Sequence, residues 1–397
     1  MERRFHIAIA TQKLPTISGK GKLVLENVRQ LCRMGWKADV LAQEVDPRPF
    51  VAAGARVVRV LRPPLRREQR LQWFAWRAQR HASRSDALLV GHGESLLRQD
   101  VLHVHNLLHR THEAVRGNLL EPSQEGSSAR MQRKIFAAHG YRHVIANSEL
   151  VREDLIRRYG LSTSDITVVH PGYDPERFHV GEDEHAARLR AELGVQPGEH
   201  LIGLITSGDF VKRGVDAFLK SLSRLPIDIR DRLHVIVVGA DYARGPFTEL
   251  AQQSGMGARI HLVPPRDDVE TLYRALDVYV HPARFEEFGM TVIEAMACGV
   301  PTVTGTHVGA AERIEGPARE LLLSSSDPGL IAARVGQCLE NTECRTLLRD
   351  AGLAAARGCT WTDNVRAHAR CYEEYASLRD ANARTRPAAK QATARDA

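Results

Sequence analysis

Two series of short apolar runs, each alternating with amphipathic stretches, constrain this 397-residue chain more than any other feature. In the first half the runs are Phe5 to Ala10, Trp36 to Ala42, Val57 to Leu61, Ala87 to Val90, Val101 to His105, Val144 to Ala146 and Ile166 to Val169. A helix is expected over about Lys22 to Met34, after a loop holding Pro15, Gly19 and Gly21. Between Phe178 and Leu201 the chain turns polar, as a linker with a short helix would. The second series is Leu201 to Thr206, His234 to Val238, Arg259 to Val263, Val278 to His281 and Thr302 to Thr304, with helices near 214–224, 247–254, 268–276 and 290–298. Strands that alternate with helices build a parallel, doubly wound sheet. The expectation is therefore an α/β chain with two Rossmann-like domains, 1–180 and 181–360. Its ligand site belongs at the carboxyl ends of the strands and in the cleft between the domains. Helices near 328–341, 345–356 and 362–378 close the chain. Residues 361–379 form a C-terminal helix able to cross back to the first domain, and the Ala/Arg-rich stretch 380–397 is expected to be disordered.

Composition narrows the function. At 43% hydrophobic and 26% charged residues the chain can fill two cores, and no run approaches the ~20 apolar residues of a spanning helix. The start, Met1 to Phe5, leads straight into a strand without an apolar leader, so a cytoplasmic location is expected. Six scattered cysteines without a CxxC pair read as reduced thiols rather than disulfides or a zinc site. Residues 1–180 carry a net +11 and the remainder a net −4, so an anionic partner should meet the first domain. A pI of 9.2 also fits a nucleic-acid binder. However, no helix-turn-helix, zinc or RNP-like pattern is present, and no nucleic-acid partner is expected.

Absences matter as much. No GxxxxGK[ST] loop and no complete GxGxxG occur, so neither a P-loop nor a dinucleotide fingerprint is available. No two aspartates stand one residue apart, so a DxD element for a divalent metal is missing, and neither a metal nor another cofactor is expected.

The chemistry concentrates in residues 281–303, HPARFEEFGMTVIEAMACGVPTV. Glu286 and Glu294 flank a turn, Glu287-Phe288-Gly289-Met290, that opens onto a helix. Free N–H groups at such a helix start attract a phosphate or sugar oxyanion, and Gly289 permits close backbone approach. Glu294, placed in the first helical turn, can accept hydrogen bonds from a ribose diol, and Glu286 from sugar hydroxyls. This string resembles the E-x7-E motif of the retaining, GT-B-fold glycosyltransferases of family 4, with Glu287 where glycine is usual. The stretch SGDFVKRGVDAFLKSL (207–222) resembles the family's G-R-x-x-x-x-K-G signature. Lys212 and Arg213 occupy it as a pair beside Gly208, with Asp209 near the usual arginine. HPGYDPERF (170–178) resembles the segment that crosses between domains.

The resemblance implies a GT-B architecture and transfer of a hexose from a nucleotide-diphosphosugar, with UDP the expected nucleotide. It further implies front-face substitution, the departing phosphate taking the acceptor's proton. Lys212, Arg213 and the Gly289 helix start would then stabilise the leaving group. His105, at the end of the QDVLHVHN strand, would stand beside the anomeric centre, with Asn106 next to it on the acceptor side; His103 would pack inward. Gly19 and Gly21 would cover the donor phosphate, and Arg266, Phe288 and Met290 complete the donor side. A finer likeness, mainly in the second domain, is to lipopolysaccharide core glucosyltransferases, which implies a glycan or glycolipid acceptor. Another GT-B enzyme, such as a nucleotide-sugar epimerase or a sugar-phosphate transferase, is the alternative.

Residues 62–84 hold seven arginines against one glutamate. Wound as a helix from about Arg66, they place Leu71, Phe74, Ala75, Ala78 and Ala82 on one stripe. Arg70, Trp73 and Arg77 fall on the opposite face, with Trp76 at its margin. Arginine with tryptophan suits an anionic membrane surface, so peripheral docking on the cytoplasmic leaflet is expected.

Overall fold

The computed structural model describes residues 5–14, 19–181 and 184–385. Nine strands precede the polar linker: β1 (His6–Ala10), β2 (Lys13–Leu14), β3 (Lys37–Ala42), β4 (Glu44–Val45), β5 (Arg56–Arg59), β6 (Leu88–His92), β7 (Val101–Val104), β8 (His143–Ala146) and β9 (Ile166–Val168). Five follow it: β10 (His200–Ile205), β11 (Leu233–Val238), β12 (Ile260–Val263), β13 (Val278–His281) and β14 (Thr302–Thr304). Seven strands form one sheet in the order β5-β3-β1-β6-β7-β8-β9, and five form another in the order β12-β11-β10-β13-β14. Every pairing in both is parallel. The central strands are apolar on both faces (β11 is buried throughout), because helices cover each side of a parallel sheet. A short parallel pair, β2 with β4, was not expected from the sequence.

The order reverses beside β1 and again beside β10, and at these switch points the carboxyl ends of the strands open a crevice. Two chain crossings join the halves side by side. Tyr173 N–H donates to the Cys359 carbonyl at 2.9 Å, and Trp361 N–H donates back to the Tyr173 carbonyl at 3.1 Å. A Cβ on Gly172 would lie 2.6 Å from the Trp361 backbone, so only glycine lets the crossings touch.

The helix Trp361–Thr385 returns to the first half, where Val365, Ala369, Cys371 and Tyr372 join the core of Ile7, Val24, Val28, Val90 and Ile145. It continues through Thr385, into the stretch expected to be disordered; residues 386–397 and Pro15 lie outside the described residues. The first helix, Gly19–Arg33, starts earlier than its pattern indicated, so Gly19 and Gly21 belong to its first turn rather than to a loop. All six cysteines are free, and no helix of the described residues is long and apolar enough to cross a membrane.

Candidate active site

The carboxyl end of β13 leads to the segment singled out by its two glutamates. His281 ends the strand, Glu286 pairs in parallel with Val308, and Gly289 takes a φ of 95° as the N-cap of the helix Met290–Ala297. A residue with a Cβ would be strained in that left-handed conformation, so the tight entry into the helix depends on glycine. The Phe288 side chain is core, stacked on His170 at 5.6 Å, and leaves only its backbone to a ligand. Met290 faces the first domain: a Cβ on Gly19 would start 3.3 Å from its sulfur. Gly19 and the Gly289 helix start therefore meet across the crevice.

Glu294 lies one turn into the helix rather than at its start. It is buried and accepts a hydrogen bond from Tyr273 Oη at 3.2 Å. Burial pushes its carboxyl up to about 7, against the pull of Lys22 from the first domain. Glu286 faces Arg213 Nε at 3.1 Å, with His281 Nε2 4.0 Å away; burial pushes His281 down to about 3.

Lys212 departs from expectation. Its ammonium is buried in an ion pair with Glu287, Nζ to Oε2 2.6 Å, with side chains 7% and 3% exposed. The other Glu287 oxygen accepts from Leu107 N–H at 3.0 Å and Thr111 Oγ1 at 3.5 Å, and the Glu287 carbonyl accepts from Ser148 Oγ at 2.6 Å. Lys212 is thus committed to a bridge between the halves, and Arg213 is the cation of the pair that points to Glu286. The reason is the residue that replaced the usual glycine: a carboxylate at 287 recruits the nearest buried cation. Gly208 (φ 147°) and Asp209 (φ 55°) shape the loop after β10 that presents the pair. Arg266 is exposed beyond β12 and pairs with Asp268 at 2.6 Å.

Across the crevice, β6 and β7 carry histidines in register, His92 opposite His103. His105 follows β7, and its Nε2 lies 2.8 Å from His92 Nδ1. Burial, with Lys20 and His368 nearby, holds His105 down to about 3, so its ring is neutral. Lys20 donates to Thr11 Oγ1 at 3.1 Å, and burial lowers its pKa. Glu94 is raised by burial and accepts from Gln132 Nε2 at 3.3 Å. Asn106 is exposed, its carbonyl accepting from Gln132 at 2.6 Å. His103 is buried against Tyr372 Oη at 2.7 Å. The sequence pattern passed over His92 and Glu94. The signal for His92 was the GHG at the end of β6, which becomes meaningful only once that strand is paired with β7.

Among the described residues, His92, His103 and His105 have the spacing of metal ligands, their nitrogens within 4.8 Å of one another. The His92 and His103 rings, however, stack at 4.3 Å and 21°, and His92 and His105 are tilted by only 12°. Near-parallel rings direct their in-plane lone pairs side by side rather than at one point, which is a poor cage for an ion.

On the outer face, the helix Arg67–Ser85 buries Leu71, Phe74, Ala75, Ala78 and Ala82 as the stripe predicted. The tryptophans exchange places. Trp73 is half-buried, its indole donating to the Leu61 carbonyl at 3.2 Å, while Trp76 is 46% exposed with Arg77 and Arg80 over its ring at 6.0 and 5.5 Å. Arg70 is partly folded back, donating to the Leu65 carbonyl at 2.8 Å.

Comparison with known proteins agrees with this layout. Residues 17–177 match Glycosyltransferase Family 4, and residues 189–354 match Glycosyl transferases group 1. The D-inositol 3-phosphate glycosyltransferase 1 of Catenulispora acidiphila is 28% identical over 262 residues, which cover 62% of this chain and 61% of that protein. The D-inositol 3-phosphate glycosyltransferase of Streptomyces bingchenggensis is 34% identical over 212 residues, covering 47% of this chain and 46% of that protein. The chain thus spans less than two thirds of the length of these relatives. Among solved structures, Anabaena HepE in complex with UDP and glucose superposes with a TM-score of 0.74 at 18% identity, over 94% of this chain and all of that one. WaaG, a glycosyltransferase involved in lipopolysaccharide biosynthesis, gives 0.73 at 18%, over 94% and 99%. Two Rossmann-like domains, an E-x7-E turn at the end of β13 and two adjoining family matches converge: the chain has the GT-B fold, its first half matching Glycosyltransferase Family 4 and its second half Glycosyl transferases group 1.

Proposed function

We propose that this protein transfers a hexose, with retention and without a metal ion, from a UDP-linked sugar to a hydroxyl of a phosphorylated acceptor. The observation that carries the reading is the Glu286 to Glu294 turn, whose Gly289 helix start shares the crevice with Gly19. Glu294 would hold the ribose, Glu286 the sugar, and Arg213 with the helix start the diphosphate. Among the described residues each carboxylate named in the crevice already has a partner: Glu286 answers Arg213, Glu287 answers Lys212, Glu294 lies under Tyr273, and Glu94 accepts from Gln132. Front-face substitution by positioning and charge stabilisation remains. A thermal-shift panel of UDP, GDP, ADP and their sugars tests the donor, since a ligand at 100 times its Kd stabilises by about 2.7 kcal/mol. Transfer abolished by EDTA and restored by magnesium would refute the metal-free part.

Two acceptors follow from different observations. The relatives' names favour an inositol phosphate. The basic helix with exposed Trp76 favours a membrane-associated glycan such as lipopolysaccharide core, reached from the cytoplasmic leaflet. Assays with both acceptor classes separate the readings.

A further inference from the structure

His92 is not among the residues that the proposed transfer employs, yet among the described residues it makes the one hydrogen bond of the His105 ring. Its own second nitrogen, Nε2, is buried with no hydrogen-bond partner among the described residues. Both rings are neutral, because burial and the neighbouring cation Lys20 oppose a charge on either.

Neutral imidazoles 2.8 Å apart can share a proton in two ways. If His105 Nε2–H donated to His92 Nδ1, His92 would have to carry its proton on Nε2, and a buried N–H would be left without an acceptor. If His92 Nδ1–H donates to His105 Nε2, the buried orphan is only a lone pair. Unsatisfied acceptors are tolerated better than orphaned N–H groups, whose burial forfeits about 1–3 kcal/mol.

We propose that His92 is a positioning residue that fixes His105 as its Nδ1–H tautomer, so that the ring nitrogen left for the crevice is a hydrogen-bond donor and not a base. Such a donor suits an oxygen, whether a sugar hydroxyl or a charge-developing phosphate oxygen, and it cannot deprotonate an acceptor. The use of that donor in catalysis rests on the glycosyl-transfer reading; the tautomer itself does not.

The surroundings hold His92 in place. Its carbonyl accepts from Ser95 Oγ at 3.0 Å, and its ring stacks on His103. His103 is pinned in turn by Tyr372 Oη at 2.7 Å and by His368 stacked at 4.9 Å, whose Nδ1 donates to the Asn364 carbonyl at 2.9 Å. Tyr372, His368 and Asn364, which back His103, all come from the C-terminal helix.

The test is 15N NMR of the imidazole nitrogens in the unliganded, histidine-labelled protein, assigned with His92→Asn and His105→Asn. The expected result is a protonated Nδ1 and a bare Nε2 on both rings; a protonated Nε2 on His105 overturns the assignment. With a UDP-sugar, His92→Leu should lower kcat/KM by ~10–100-fold. His92→Asn, whose amide can stand in for the Nδ1–H donor, should recover most of that loss. Equal kcat/KM in folded His92→Leu and wild-type protein overturns the positioning role. If His92→Leu does not fold, the wild-type tautomer and the Asn variant decide. A correctly protonated His105 in a protein inactive toward every nucleotide-sugar would refute the transfer reading while supporting the tautomer.

Discussion

Replacing Lys212 with methionine keeps most of the side chain's volume and removes its charge. At 2.6 Å and an effective dielectric of 20, the gross attraction to Glu287 is about 6 kcal/mol. Much of that offsets the desolvation of two groups that are 7% and 3% exposed. The substitution nonetheless leaves Glu287 buried with one backbone N–H and one distant hydroxyl as partners, and breaking a buried pair from one side costs about 3–5 kcal/mol. Removing both charges, as in Lys212→Met with Glu287→Leu, should recover most of this, because the lone-charge penalty disappears. Denaturant unfolding followed by tryptophan fluorescence, without nucleotide, supplies the four corners of a double-mutant cycle. A coupling above 2 kcal/mol is expected. If each single change cost under 1 kcal/mol and the two simply added, the bridge would be a surface contact and the account of Glu287 would be wrong.

The other predictions concern the site, the hinge and the outer face. Glu294→Ala should chiefly weaken UDP binding, and Glu286→Ala should chiefly lower turnover; an unchanged nucleotide Kd in Glu294→Ala refutes the ribose assignment. Glu294 has a native pKa of about 7, above its unfolded value, so its contribution to stability is fully present below about pH 4 and is lost as pH rises toward 7. An ionised carboxylate is the better acceptor for a diol, so UDP binding at pH 6 should release up to one proton. Calorimetry in buffers of different ionisation enthalpy measures this, and Glu294→Gln should abolish it. Gly172→Ala sets a methyl group against the Trp361 backbone, which cannot step aside, and should cost at least ~1–3 kcal/mol by thermal or urea unfolding. Trp76→Ala combined with Arg77→Ala and Arg80→Ala should reduce flotation with anionic vesicles while leaving UDP binding intact. Equal binding of wild-type protein to neutral and anionic vesicles removes the membrane reading.

The strands were legible because runs such as LHVIVV have few alternatives once a parallel sheet covered on both faces is assumed. The start of the first helix was not, since Gly19-Lys20-Gly21 has poor helix propensity and is held helical by contacts the local sequence does not contain. Within the site, the E-x7-E turn was readable because its geometry is local. What Lys212 does was not, because its partner lies 75 residues away. A helical wheel ordered the apolar stripe of Arg67–Ser85 correctly yet misplaced the tryptophans, for only the Leu61 carbonyl draws Trp73 inward. His92 required knowledge of which strand lies beside β7.

The return of the last helix has a consequence for how the chain is made. The core of the first half is completed by Val365, Ala369 and Tyr372, which follow the whole second half in the chain and so leave a ribosome after it. Domains emerging N-terminus first normally fold as they appear. Here the first half would wait through the whole synthesis of the second with an apolar face bare, and would be open to chaperones and to misassembly in that interval. A fragment ending at residue 180 should therefore behave poorly on its own, and supplying the 361–377 segment in trans or by fusion should rescue it.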